Sequence, residues 1–303
     1  MLWILLLLHT VLLENNYKDT NSSALSRIPK ILHYVWVGNN EKPPKVVKCV
    51  ESWYKYCKDW LIVEWNDFSL GNINNTYIDE AYRTRKWAFV GDYLRIYALA
   101  MYGGVYVDAD VELLKPIDSF LNVSFFLGRE NYYGYFNAGP HLMGAVPHTA
   151  ILTDILSEYT TAHFLDKDGK PNYYVLPDRF KRYFKRHYDF KIVDRPNETT
   201  ILTTENESMY IYPWWYFCKP LKGEEAWAIH HFHGSWLKSA EKEDRKIEVN
   251  GGERTGENKT RVKGGENDRG KGMKLWEQVA KTLITSDVIV GLWLGYKWKR
   301  RSG

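Results

Sequence analysis

Residues 103–118, GGVYVDADVELLKPID, constrain the fold more than any other stretch of this chain. Two glycines stop a helical pattern, Val105–Val107 make a short apolar strand, and Asp108 and Asp110 follow one residue apart. The carboxylates therefore emerge where a buried strand reaches the surface, which is where open α/β sheets bind ligands. Residues i and i+2 on extended backbone point to the same side. Two carboxylates so placed can share one divalent cation, and a cation held this way can carry a diphosphate. Asp-x-Asp alone also occurs in solvated turns, so the rest of the chain decides its meaning.

The flanking pattern is that of an α/β domain. IPKILHYVWVG (28–38) reads as a first strand closed by Gly38, with Trp36 near its carboxyl end. Pro43 and Pro44 open a helix through about Cys57, with Val46, Val47, Val50, Trp53 and Tyr54 on its inner side. LIVEW (61–65) is a second strand, and residues 78–102 read as one long helix ending at Gly103 and Gly104. This strand–helix–strand–helix–strand order implies right-handed crossovers and a mostly parallel central sheet. SFFLGRE (124–130) is a further strand, and NAGPHLMGAVPH a Gly/Pro-rich loop before a helix around 147–159. Residues 173–217 read as aromatic and irregular, and WAIHHFHGSW closes the globular part.

Composition sets the outer bounds. Apolar residues at 45% and aromatics at 16% support a large core and exclude wholesale disorder. A net charge of +4 suits an anionic substrate or membrane surface and is too weak to argue for nucleic acid. Cys49, Cys57 and Cys218 form neither a disulfide framework nor a zinc spacing, which favours a reducing, cytoplasmic compartment. The apolar run in MLWILLLLHTVLLENN is shorter than the roughly 20 residues that span a bilayer, and its signal-peptide features are weak. The leader and six Asn-x-Ser/Thr sequons leave a secretory location open. Residues 239–272 turn abruptly to Glu, Lys, Arg, Gly and Asn and read as a flexible insertion. Residues 273–303 resume an amphipathic helical pattern with a basic, Trp-bearing end, suited to packing or to peripheral membrane contact.

Three further segments carry chemistry beside the acidic pair. Asp92 and Arg95 lie three apart on one helix face, in the apolar context AFVGDYLRIYAL, where Asp92 can accept bonds from sugar hydroxyls and Arg95 can contact a hydroxyl or phosphate. Trp36 is placed either to stack on a base or to fill the core. In AIHHFHGSW, His230, His231 and His233 fall within four positions, so an imidazole can complete a metal site begun by the aspartates. Spacing does not choose between His230 and His231.

Read in order, IPKILHYVWVG, CVESWYKYCKDWLIVEWND, KWAFVGDYLRIYALAMYGGVYVDADVELLKPID, FNAGPHLMGAVPH and AIHHFHGSWL resemble family-32 glycosyltransferases. These carry a DxD motif in the sugar-binding region and include capsular polysaccharide transferases and yeast-type initiating mannosyltransferases. The resemblance runs over roughly 28–238 and implies a GT-A, Rossmann-like α/β catalytic domain between a 1–27 leader and the segments at 239–272 and 273–303. It further implies that Asp108, Asp110 and His230 or His231 hold Mn²⁺ or Mg²⁺ against the diphosphate of a UDP-hexose or GDP-mannose donor. Trp36 would face the base, Asp92 and Arg95 the donor sugar, Asn137 the reacting sugar, and Ser235 and Trp236 the phosphate or leaving group. A glycan or lipid-linked saccharide would be the acceptor, and transfer would retain the anomeric configuration. Gly91 and Ala109 depart from the Ser and Thr usual in the family, and neither change removes a ligand.

The rival readings are weaker. A decayed, non-catalytic glycan- or nucleotide-binding module should have lost a metal-binding position, and none is lost. Phosphoryl transfer of the P-loop type lacks its GxxxxGK[ST] segment. The two aspartates are too close along one strand to flank a glycosidic bond as hydrolase carboxylates do.

Overall fold

A computed structural model of the chain describes residues 28–71, 73–130, 136–189 and 197–233. The regions expected as a leader (1–27), a charged insertion (239–272) and a C-terminal helical segment (273–303) lie outside the described residues, as do Ser235 and Trp236.

The first half runs β1 (Ile31–Val35), α1 (Pro44–Tyr56), β2 (Leu61–Trp65), α2 (Asp67–Leu70), α3 (Thr76–Arg83), α4 (Trp87–Tyr102), β3 (Gly104–Val107) and β4 (Val111–Leu113). The second half runs β5 (Phe125–Arg129), β6 (Ala138–Ala145), α5 (Ala150–Glu158), α6 (Leu176–His187), β7 (Thr200–Thr203), β8 (Ser208–Tyr212), α7 (Trp214–Phe217) and β9 (Ala228–His230). Seven strands form one sheet in the order β2-β1-β3-β6-β5-β8-β7, and β4 pairs with β9 in a separate ribbon. Parallel pairing joins β2, β1 and β3, and also β5 to β8; β6 is antiparallel to both its neighbours and β7 to β8. Strands β1, β2, β3, β5 and β8 therefore run one way, so the sheet is mostly parallel, as the strand–helix alternation implies.

Both faces of the sheet are covered. Ile31, Tyr106, Phe125 and Leu127 point into one apolar cluster with Val90 and Leu94 of α4 and Phe180 of α6. Leu32, Val105, Val107 and Phe126 point into the other, with Cys49 and Trp53 of α1. Adjacent residues of one strand thus serve opposite cores, which is why these strands read as unbroken apolar runs. Each such side chain contributes about 1.5–3 kcal/mol by leaving water.

Three segments differ from their sequence reading. The expected helix over 78–102 is two helices, because Arg85 adopts φ 56°. Its N–H donates to Tyr82 O and the N–H of Lys86 to Ala81 O, a C-terminal cap built without the usual glycine. The expected Gly/Pro-rich loop is β6, a buried central strand. Its small residues are there for close approach: a Cβ on Gly144 would stand 2.3 Å from the Phe126 ring. Register shifts between Leu127 and Gly128, where Met143 and then Gly139 are the partners, so Pro140 sits in a bulge and needs no ladder donor. Within the stretch expected to be irregular, 173–217, the chain forms α6, β7, β8 and α7. Phe180, Phe184 and Phe217 there are fully buried, whereas Tyr173 is exposed.

His33 of β1 is a core histidine with both nitrogens engaged. Nδ1 accepts from Trp65 Nε1–H at 3.1 Å, and Nε2–H donates to Gly103 O at 2.8 Å. That arrangement fixes the neutral tautomer, and burial pushes the imidazole pKa down to about 4, against a small opposing effect of the Gly103 carbonyl. Protonation would have to break the Trp65 bond. Because the folded pKa lies below the unfolded value of about 6.5, this contribution is complete above pH 6.5 and is lost as pH falls toward 4. The expected result is a loss of roughly 3 kcal/mol across that window, read as a fall in urea midpoint. His33→Gln should flatten the dependence while lowering stability throughout.

Candidate active site

The site is assembled where β3 leaves the sheet. The Asp108 N–H donates to His141 O of β6 at 2.8 Å, and the chain then turns so that Val111 N–H returns to Asp108 O at 2.9 Å. β4 runs on from this turn and pairs antiparallel with β9, with Val111 opposite His230 and Glu112 opposite Ile229. Helix α1 holds the ribbon down: Trp53 Nε1–H donates to Val111 O, and Leu113 N–H to Ser52 Oγ, both at 2.9 Å. A motif only three residues long thus takes its geometry from β3, β6, α1 and β9.

Arg95 of α4 ties the sheet to the helix behind it. Its Nη2 lies 3.1 Å from Asp108 Oδ1 and 3.4 Å from Asp92 Oδ1, and Nη1–H donates to Pro140 O at 2.9 Å. That carbonyl is free because Pro140 lies in the β6 bulge. The guanidinium also stands over the Tyr106 ring at 4.7 Å, while the Tyr106 hydroxyl donates to Asp108 Oδ1 at 2.8 Å. Burial works against the Arg95 charge, but Asp108 and Asp92 overcome it and raise its pKa further. Asp92 also accepts the N–H of Leu176, the first residue of α6, at 3.2 Å. Burial raises its carboxyl pKa, and the opposing pull of Arg95 does not fully cancel that effect.

Asp110 faces the other way, toward β9. Its Oδ1 lies 3.3 Å from His230 Nε2, its Oδ2 accepts the His233 N–H at 2.9 Å, and its carbonyl accepts the His231 N–H at 3.0 Å. Burial alone would raise its pKa, but the bond to His230 and the His233 N–H hold it well below the usual carboxylate range. His230 is shifted upward by the same partnership, against the effect of its burial.

One ligand atom each from Asp108, Asp110 and His230 lie within 4.8 Å of one another. Two carboxylate oxygens and one imidazole nitrogen suit Mn²⁺, and a cation bound there would compete with a proton on His230. Of the two adjacent histidines, the geometry brings His230 to the aspartates; His231 Nε2 is engaged at 2.9 Å by Glu112 on the outer side of the ribbon. Trp36 follows β1 and is half-buried, its Nε1–H donating to Asn40 O at 2.7 Å and Lys42 lying 5.8 Å from its ring centroid. Asn137 precedes β6 and donates to the Glu130 carboxylate at 2.9 Å. Sequence reasoning missed Tyr106 and His141. The first was legible as the i−2 neighbour of Asp108 on a strand; the second was hidden in a segment read as a loop. No helix of the described residues is long and apolar enough to cross a membrane.

Parts of the chain are similar to known proteins. Residues 43–126 match the family described as "Glycosyltransferase sugar-binding region containing DXD motif", a span that includes Asp92, Arg95, Asp108 and Asp110. Mannosyl phosphorylinositol ceramide synthase CSH1 of Saccharomyces cerevisiae is 26% identical over 156 residues, 49% of this chain and 38% of its own length. Inositol phosphoceramide mannosyltransferase 1 of Schizosaccharomyces pombe is 26% identical over 136 residues, 42% of this chain and 43% of its own. The match therefore spans well under half of those relatives. Among solved structures, PaToxG glycosyltransferase superposes with a TM-score of 0.42 at 18% identity, over 59% of this chain and 76% of that one. The chain is thus similar, over part of its length, to glycosyltransferases that carry a DXD motif.

Proposed function

We propose that this chain is a metal-dependent glycosyltransferase that moves a hexose from a nucleotide-diphosphate sugar to a glycan or glycolipid acceptor with retention of anomeric configuration. The observation that carries this reading is the convergence of Asp108, Asp110 and His230, with their ligand atoms within 4.8 Å, at the carboxyl end of β3. The mannosyl transfer named in the two yeast relatives supports mannose as the sugar and GDP-mannose as the first donor to try. Their names also support an inositol phosphoceramide as the acceptor class, which would bring the domain to a membrane surface.

Breaking the anomeric bond builds negative charge on the β-phosphate oxygen, and groups aimed at that oxygen lower the barrier more than they tighten ground-state binding. A Mn²⁺ or Mg²⁺ ion on Asp108, Asp110 and His230 would supply that stabilisation. The protein groups have separable tasks. Asp92 carries the carboxylate for sugar hydroxyls. Arg95 meets two carboxylates and two carbonyls, Pro140 and Gly91, so it serves as a positioning residue that holds Asp92 and Asp108. Trp36 at the end of β1 is assigned to the base, Asn137 to the sugar side, and Ser235 and Trp236 to the leaving phosphate. Among the described residues no side chain is assigned as a covalent nucleophile, so retention would follow from attack on the leaving-group face.

The test is a donor panel of GDP-mannose and UDP-hexoses with Mn²⁺, Mg²⁺ or EDTA. Metal-dependent thermal stabilisation and slow hydrolysis of one donor are expected, with the product anomer fixed by NMR. No response to any donor under either metal would instead favour a decayed binding module, and an inverted anomer would exclude retention.

A further inference from the structure

Behind the aspartate pair the fold gathers a second set of donors, of different chemistry. His141 of β6, Cys218 just after α7 and His230 of β9 each offer one ligand atom, and these atoms lie within 4.8 Å of one another. The rings of His141 and His230 stack with centroids 4.5 Å apart and planes at 25°. His141 is 2% exposed, and neither its Nε2 nor Nδ1 of His230 has a hydrogen-bond partner. Cys218 is 2% exposed, its thiol pKa is pushed up by burial, and its S–H donates to Glu130 O at 2.9 Å. Two buried ring nitrogens left unpartnered beside a thiol form a costly arrangement, since each such atom forfeits roughly 1–3 kcal/mol of solvation.

We propose that His141, Cys218 and His230 bind a borderline-soft d¹⁰ metal ion, Zn²⁺, at a second site that shares only His230 with the DXD cation. The donor set is N, N and S with no carboxylate, which suits zinc and not the Mn²⁺ or Mg²⁺ of the neighbouring site. Zinc would satisfy both orphan nitrogens and replace the thiol proton. The S–H bond breaks, an S–Zn bond forms, and the proton leaves to solvent. Three protein ligands leave a fourth position for water. With Zn–N of about 2.0 Å and Zn–S of about 2.3 Å the ligand atoms must close to roughly 3.5 Å, and the stacked imidazoles must rotate out of parallel to aim both ring nitrogens at one ion.

The consequence lies in His230. Its Nε2 lies beside Asp110 and its Nδ1 is buried without a hydrogen-bond partner, so metal on the second nitrogen would lock the ring and fix how it meets the aspartates. The zinc ion would also join β6 to the α7 exit and β9, which already meet through the His230 N–H donating to Cys218 O at 2.7 Å.

The test uses the full chain stripped of metal and titrated with Co²⁺ as a spectroscopic stand-in for Zn²⁺. A sulfur-to-cobalt charge-transfer band at one equivalent, displaced by Zn²⁺, is expected in the wild type and in the Asp108→Asn/Asp110→Asn variant. It should vanish in Cys218→Ser and need at least tenfold more Co²⁺ in His141→Gln. Absence of the band from the wild type overturns the site whatever the variants do. A band that survives Cys218→Ser assigns the thiolate to Cys49 or Cys57 and overturns it equally. Should Cys218→Ser fail to fold, wild type and His141→Gln decide, because an unchanged midpoint in His141→Gln excludes that ligand. None of these readouts requires donor turnover, so the site and the transferase reading fail independently.

Discussion

Asp110→Asn is expected to reduce metal-dependent donor turnover by about 10²–10³-fold, the range found when one group stabilising a developing oxyanion is removed. The change is nearly isosteric. The amide oxygen can still accept the His233 N–H, and the amide nitrogen can face His230 Nε2, so the side-chain contacts to both histidines are kept. What disappears is one negative charge beside Asp108. Activity should recover partly at high Mn²⁺, because the lesion is in cation affinity. The measurement is turnover across a Mn²⁺ titration beside a thermal melt of the same sample. Turnover equal to wild type at limiting Mn²⁺ would show that Asp110 does not carry the cation.

Arg95→Met should produce the largest loss of stability. The methionine fills much of the aliphatic stem but leaves Asp92 buried without its cation, and leaves the Tyr106 face and Pro140 O without theirs. Breaking a buried pair by removing one partner costs about 3–5 kcal/mol, which in a domain of this size lowers Tm by roughly 10 °C. The pH dependence identifies the cause. Asp92 is already shifted upward by burial, and losing Arg95 shifts it further in the same direction. A carboxyl group with a raised folded pKa destabilises as pH rises above the unfolded value. The deficit relative to wild type should therefore be larger at pH 8 than at pH 5. A deficit independent of pH would assign the loss to packing alone. Since Arg95 also orients Asp108, the variant should lose turnover even at temperatures where it stays folded.

How much of this was legible in the sequence depended on whether local signals agreed. β1, α1, β2 and β3 were readable because apolar period, Pro at the helix start and Gly at the helix end coincide there. The α3–α4 break was not, since Arg85 takes the left-handed position that glycine normally marks. β6 was misread because its glycines and proline are turn signals in isolation. They serve instead the close approach of Phe126 and a bulge whose proline carbonyl faces Arg95. For the site, the i, i+2 and i, i+3 relations gave Asp108 with Asp110 and Asp92 with Arg95. No spacing rule could choose His230 over His231, because that choice is made by strand register across the β4–β9 ribbon. His141 and Cys218 come from segments far apart in the chain, and only the fold brings them to His230.

The β4–β9 ribbon has a consequence in time. Glu112 and His231 are separated by 119 positions, so a chain made from its amino end presents the acidic turn long before the histidine that meets it. At about 5–20 residues per second the interval is on the order of ten seconds. Through that delay the newborn protein can already pair β1, β2 and β3, with Arg95 and Tyr106 shielding Asp108, while Asp110 still lacks its imidazole. Closure of the β4–β9 ribbon, and with it the approach of His230 to Asp110, is then a late event of synthesis.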